Sequence, residues 1–268
     1  MTQPQPVNQI PEEPAPSGAL ALAAFEAAIA ALVFSMYTAW LATVTTAVLG
    51  AYNRFGAPPD PTAVWSTVPR WEREIDKLMS ALEQIARAGW IDAGQQLGIE
   101  IPFDANDSIL QDALARTRNL MVRTPDEVYR LIIAELGAAV ARGEDVDIQA
   151  ARVRHVLDVT GTENWPARAR TVAVTEVHRA YNMGALAAAQ RIQQRGGGVR
   201  MLKRWDSRDD SAVRTAHRVA DGQIQPVNHP FIVGGEPLMA PGDPSGSPWN
   251  VINCRCKQRF GKGVDDGR

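Results

Sequence analysis

Apolar residues recur at helical spacing through most of the first 160 positions of the chain. From Gly18 to Ala51 the run is alanine-rich, and from Ala27 to Ala51 it carries no charged residue. Within it Phe25, Ile29, Leu32, Val33, Met36, Trp40, Val44, Val48 and Leu49 form a stripe separated by Ala, Ser and Thr, the period of a helix. That length also suits a bilayer span. The flanks carry Glu12, Glu13 and Glu26 on one side and Arg54 on the other, which is no positive-inside pattern. A packed or oligomer-interface helix is therefore the leading reading, and a membrane-active segment the alternative. Phe25, Ile29, Leu32, Met36 and Trp40 are the expected partner face.

Gly and Pro residues between Phe55 and Pro61 break the pattern. Trp71, Ile75, Leu78, Leu82, Ile85, Trp90 and Ile91 then predict a helix from Trp65 to Leu97, closed by Gly98. Its charged face includes repelling pairs such as Glu72 and Asp76, so it depends on tertiary packing. A further helix is expected from Asp107 or Ser108 to Val122. Thr124-Pro125-Asp126-Glu127 reads as a threonine-capped start with proline at N1, for a helix running to Arg142 before Gly143. A shorter one covers Val146 to Val159, before Gly161. No catalytic constellation stands out in this helical region.

The C-terminal third has a different character. Pro166 begins its longest helix, which ends at Gly196-Gly197-Gly198 and buries Val174, Val177, Tyr181, Ala188 and Ile192. Glu176 is placed to pair with Arg179 one turn on. Arg170, Glu176 and Asn182 are candidates for a polar cluster that orients the following module. Val199 to Trp205 alternates as a strand. Ser207-x-x-Asp210 reads as a capping box for a helix through Ala220, with Asp209 and Asp210 at its N-terminal dipole. Arg214, His217 and Asp221 then share one face, and Gly222 is the stop. Gln223–Gln225 and Phe231–Val233 are expected as short strands, the rest through Ser247 as loop, and Val251–Arg255 as a last strand. The fold class is α+β: a mostly helical N-terminal region followed by a small mixed α/β domain. The expected boundaries are an arm over 1–17, helices over 18–161, the mixed domain over 162–260 and a tail over 261–268.

Composition changes this picture in two places. The formal net charge of −2 is no nucleic-acid signature, yet Trp165 to Arg218 holds eleven Lys/Arg against four Asp/Glu. Met1 to Ser17 is rich in Pro, Gln and Glu and lacks a basic n-region, so it reads as a flexible arm, not a secretory signal. Both cysteines and three of the four histidines, His178, His217 and His229, fall in the last third. Cysteines one residue apart make no disulfide framework, so reduced thiols in a cytoplasmic setting are expected.

Three chemistries fit these residues. In an extended segment Cys254 and Cys256 project from one face and, with His217, offer zinc ligands. A fourth would come from His229, Asp221 or His178, and spacing does not choose among them. Thiol catalysis would use Cys254 as nucleophile, His217 as base and Asp221 as its orienter. The third reading makes the cysteines small buried hydrophobes with His217 hydrogen-bonded beside them. The chain has no glycine-rich phosphate loop, His-Glu-x-x-His or Gly-x-Ser-x-Gly.

Arg170, then Thr175-Glu176 and Asn182, then Arg214-x-x-His217-x-x-x-Asp221-Gly222, the Pro241-Gly242-Asp243-Pro244 loop and a closing Asn253-Cys254-Arg255-Cys256 form an ordered set. From Pro166 to Phe260 this set resembles the phage Mu F-like minor head protein family, also called head morphogenesis proteins. Two departures stand out. Val174 replaces an arginine common in relatives, and Trp249-Asn250-Val251-Ile252 stand where many have a histidine before the cysteines. The resemblance implies a non-enzymatic minor capsid protein, associated with the portal vertex inside the head during assembly and DNA packaging. The portal protein is the expected partner, in a multi-copy assembly, with scaffold or major capsid protein and non-specific contact with packaged DNA behind it. The expected place is the capsid interior near the portal, and the host cytoplasm during assembly. No cofactor is implied, zinc being the one candidate. The motif residues then form a structural polar cluster. The alternative is an effector ejected with the genome, engaging membrane through residues 27–51 or acting through the His/Asp/Cys cluster.

Overall fold

The structure is a computed structural model that describes residues 16–195, 199–208 and 210–263, with side chains from Ala21 onward. The expected arm up to residue 15, the triple glycine, Asp209 and the tail from residue 264 lie outside these. The helices are α1 (Pro16–Val48), α2 (Gly50–Phe55), α3 (Val68–Leu97), α4 (Ser108–Met121), α5 (Thr124–Ala141), α6 (Val146–Val159), α7 (Trp165–Arg195), α8 (Thr215–Ala220) and α9 (Pro248–Val251). The strands are β1 (Arg200–Asp206), β2 (Ile224–Pro226), β3 (Phe231–Val233), β4 (Glu236–Leu238) and β5 (Lys257–Gly263). Mostly helical and closed by small antiparallel sheets, the chain is α+β. It divides into two compact units, Ala28–Ser80 with Thr117–Val172, and the remainder.

In the first unit the apolar stripe of α1 turns inward. Ile29, Val33, Met36, Tyr37, Trp40 and Val44 are buried. Tyr37 stacks on Trp71 at 5.4 Å and meets Trp165 at 4.6 Å, while Trp40 lies 5.1 Å from Trp71. The indoles are satisfied as well as packed: Trp40 Nε1 donates to Thr67 Oγ1 at 2.9 Å and Trp71 Nε1 to the Met121 carbonyl at 2.9 Å. This corrects the expected partner face. Ile29, Met36 and Trp40 are core, and Phe25 and Leu32 are half-buried. What α1 leaves outside is mostly small: Ala24, Ala31, Ser35, Thr38, Ala42 and Thr46, with Phe34 the one large exposed side chain.

Two expected boundaries also change here. Arg123 precedes α5 at helical angles and no side chain caps that helix, so Thr124 is a buried helical residue. Gly161 does not stop the chain either. A π turn over Thr160–Asn164 carries α6 into α7. A Cβ on Gly161 would lie 2.9 Å from Leu41 Cδ2, so this glycine serves close packing.

The second unit is built on the crossing of α3 and α7. A Cβ on Gly89 would fall 2.0 Å from the Tyr181 carbonyl oxygen, and one on Gly184 2.0 Å from that of Ala86. The two backbones therefore touch. Trp90, Ala93, Leu97, Ala185, Ala188, Ile192, Met201, Val227 and Phe260 pack around this crossing. From Thr175 to Ala189 α7 is buried on every side, where a one-sided apolar face was expected; Val174 is half-buried. β1 lies between β2 and β5, both antiparallel to it, with Lys203 opposite Phe260. β3 and β4 form a separate hairpin.

The module between β1 and β5 is less regular than its pattern suggests. The helix expected from Ser207 is only Thr215–Ala220: Arg214 before it is extended, and the Ser207 amide donates to the Asp221 carboxylate at 2.7 Å. β4 lies inside the expected loop. Val251–Arg255 is no strand: Pro248 starts a single helical turn, Asn253 then takes a left-handed φ of 56°, and β5 begins at Lys257.

Candidate functional site

The polar face of α7 organises the module. Arg179 pairs with the Glu176 carboxylate at 2.7 Å and donates from Nε to the Gly242 carbonyl at 3.0 Å. Gly242, at φ 78°, lets the Pro241–Pro244 loop come within 3.3 Å of the Arg179 backbone for any added Cβ. Asp243 fixes that loop by accepting from the Met239 amide at 2.6 Å and from the Ser245 amide and hydroxyl at 2.8 and 2.7 Å. Asn182 Nδ2 donates to the Cys256 carbonyl at 3.0 Å, and its own carbonyl accepts from Gln258 at 2.6 Å. Thr175 Oγ1 accepts from the Asn253 amide at 2.9 Å. So Thr175, Glu176 and Asn182 hold the Pro-Gly-Asp loop and the Asn-Cys-Arg-Cys segment against one helix. Arg170 is different, at the exposed surface of α7.

That clamp brings three donor atoms together. His217, on α8, places Nδ1 3.7 Å from Cys254 Sγ and 3.4 Å from Cys256 Sγ. All three residues are about 2% exposed, and the thiols are free. The Trp205 ring meets the imidazole edge-to-face at 5.5 Å. The neighbouring Cys256 thiol, helped by His217, holds Cys254 well below the ordinary thiol range. Cys256 is pushed up in turn, first by Cys254 and then by burial. A narrow cleft of about 10 Å³, room for about one water, opens onto the three donors, rimmed by Arg208, Arg214 and Arg255. Asp210 anchors Arg208 at 3.4 Å and Arg255 at 2.9 Å, and Arg214 donates to the Ile252 carbonyl.

The expected additions to this trio do not reach it. Asp221 is exposed and bound to the Ser207 amide, so it does not orient His217. His217 Nε2 is buried without a hydrogen-bond partner among the described residues. The nucleophile–base–orienter arrangement is therefore not assembled. His178 is engaged by Glu26 at 2.8 Å, which holds that carboxyl below its usual range, and His229 is exposed. A metal has three protein donors here, His217, Cys254 and Cys256.

Lys203 is a site residue that motif reading passes over. It sits at an inward position of β1 between Met201 and Trp205, fully buried, and its ammonium donates to the Met239 carbonyl. It lies 4.7 Å from the Phe231 ring centroid, and burial pulls it down to about 7. A lysine at an apolar beat of a strand was the available signal.

A helix-clamped module with a His-Cys-Cys cradle, ending a mostly helical chain, defines an α+β protein whose polar residues hold its loops together. Residues 131–259, just under half of the chain, match the family model for phage Mu protein F like protein. The matched family is one of phage head morphogenesis proteins. No curated protein and no solved structure matches the chain.

Proposed function

We propose that the protein is a minor capsid protein, carried in the head interior at the portal vertex and acting during assembly and DNA packaging. The match over residues 131–259 carries this reading. The build of the module supports it. Glu176, Arg179, Asn182 and Asp243 all hold loops in place. Much of the basic excess is likewise engaged inside the protein: Arg179 pairs with Glu176, Arg191 with Asp104, Arg168 with Glu127, and Lys203 is buried. Arg195, Arg200 and Arg218 remain exposed as groups for salt-sensitive, non-specific contact with packaged DNA.

The test is co-expression of the full chain with the portal protein of the same phage, followed by size-exclusion chromatography and mass measurement. Co-elution at a defined ratio is expected. Separate elution of two folded proteins overturns the portal assignment.

A further inference from the structure

In the tautomer with its proton on Nε2, the His217 nitrogen facing the cysteines has one lone pair, yet two sulfurs converge on it at 3.7 and 3.4 Å. A hydrogen bond occupies that lone pair with one sulfur and leaves the second approach unused. A shared cation uses both. Around a tetrahedral zinc, with Zn–S near 2.3 Å and Zn–N of about 2.0–2.1 Å, the N···S separation is about 3.5–3.6 Å. The two observed separations straddle that value. Two thiolates and an imidazole are also the donor set that selects zinc over the oxygen-seeking cations.

We propose that His217 Nδ1, Cys254 Sγ and Cys256 Sγ bind one Zn²⁺ per chain, with the fourth coordination position open to the cleft under Arg208, Arg214 and Arg255. Both thiols lose their protons to solvent as the metal binds, so the two thiolates balance the dication and the centre is neutral. Three protein ligands with an open fourth position leave room for water or a small anion. The arginine rim favours the anion, although Asp210 moderates two of the three guanidiniums. The clamp explains why the cysteines are held before any metal arrives. Asn182 fixes the Cys256 carbonyl and Thr175 the Asn253 amide, so α7 sets the backbone of the ligand loop.

The experiment uses the full chain, purified under reducing conditions, stripped with chelator and titrated with Zn²⁺ and then Co²⁺. One equivalent per chain is expected, with the thiolate charge-transfer and visible bands of four-coordinate cobalt. Cys254→Ser and Cys256→Ser, checked for folding by circular dichroism, should each weaken the sulfur band or lose the metal. Failure of the wild-type chain to bind either ion overturns the site, as does binding unchanged in both folded variants. If a serine variant does not fold, the cobalt spectrum of the wild-type chain decides, since bands lacking thiolate charge transfer exclude the cysteines. Inorganic phosphate added to the cobalt form should shift its visible bands. Bands that ignore phosphate overturn anion binding at the fourth position.

Discussion

Lys203 is an ammonium that the fold works against. Buried beside Phe231, with the Asp243 carboxylate only partly offsetting that burial, it is pulled down to about 7 from an ordinary 10.5. Between those values the unfolded chain holds a proton that the folded chain has released, so stability rises with pH across that window. The gain from pH 7 to 10 is on the order of 3 kcal/mol, read from denaturant melts at each pH. Lys203→Met should flatten that rise, and an unchanged slope would remove Lys203 as its source. Gly89 and Gly184 give a prediction with the opposite sign from helix propensity. Alanine at a helical glycine ordinarily stabilises by about 1 kcal/mol. At Gly184 its Cβ would meet the Ala86 carbonyl at 2.0 Å. Gly184→Ala should therefore destabilise by about 1–3 kcal/mol or more, the cost of overpacking. A raised melting temperature would show that the two backbones do not touch. At this scale the site was legible where residues are rare: two cysteines and few histidines drew attention to His217, Cys254 and Cys256. Asp221 was misread because its spacing from His217 matters only if the helix runs through it, whereas the helix ends at Ala220 and the Asp221 carboxylate accepts from the Ser207 amide.

α7 shows how an element with a weak amphipathic pattern becomes the centre of a unit. Its buried polar side chains are tolerable because each meets a backbone group or an opposite charge. Arg179 is the sharpest case, since removing it leaves Glu176 charged and buried. Arg179→Leu should cost about 3–5 kcal/mol, and Glu176→Leu added to it should recover part of the loss. A near-neutral Arg179→Leu in urea melts would mean the pair contributes little to the clamp. The helices were readable because apolar spacing extends over many turns in α3, α4 and α6, and glycines such as Gly98 and Gly143 adopt positive φ at their ends. The burial of α7 on every side was hidden because its apolar positions marked only one face, and His178 and Arg179 are covered only once the loops are in place. β3 was expected from the apolar run Phe231–Val233, whereas β4, three residues with a proline at its centre, is too short for alternation to distinguish from loop. The Pro-Gly-Asp motif was legible because Gly242 must come close to Arg179.

For the molecule as a whole, the role of α1 decides how its partners can be mapped. As a partner face, its stripe would be dispensable for folding, and deleting residues 1–53 would abolish incorporation cleanly. The structure places Val33, Tyr37, Trp40 and Val44 at zero exposure, with Tyr37 and Trp40 inside the ring cluster of Trp71 and Trp165. Truncating a single buried tryptophan to alanine costs about 3–5 kcal/mol, comparable with the whole stability of a small domain. The deletion should therefore lose the near-ultraviolet circular dichroism of the tryptophan cluster and melt without cooperativity. Loss of portal co-elution by such a variant would report unfolding, not a missing contact. Ala31→Glu and Ala42→Glu, on the outward face, should instead leave the melting temperature within a degree or two, because exposed substitutions of this kind change stability by about 0.5 kcal/mol or less. Those variants are the ones that can separate binding from folding. A 54–268 fragment that keeps the native near-ultraviolet signal and a cooperative melt would return the stripe of Phe25, Ile29, Leu32, Met36 and Trp40 to the candidate partner surfaces.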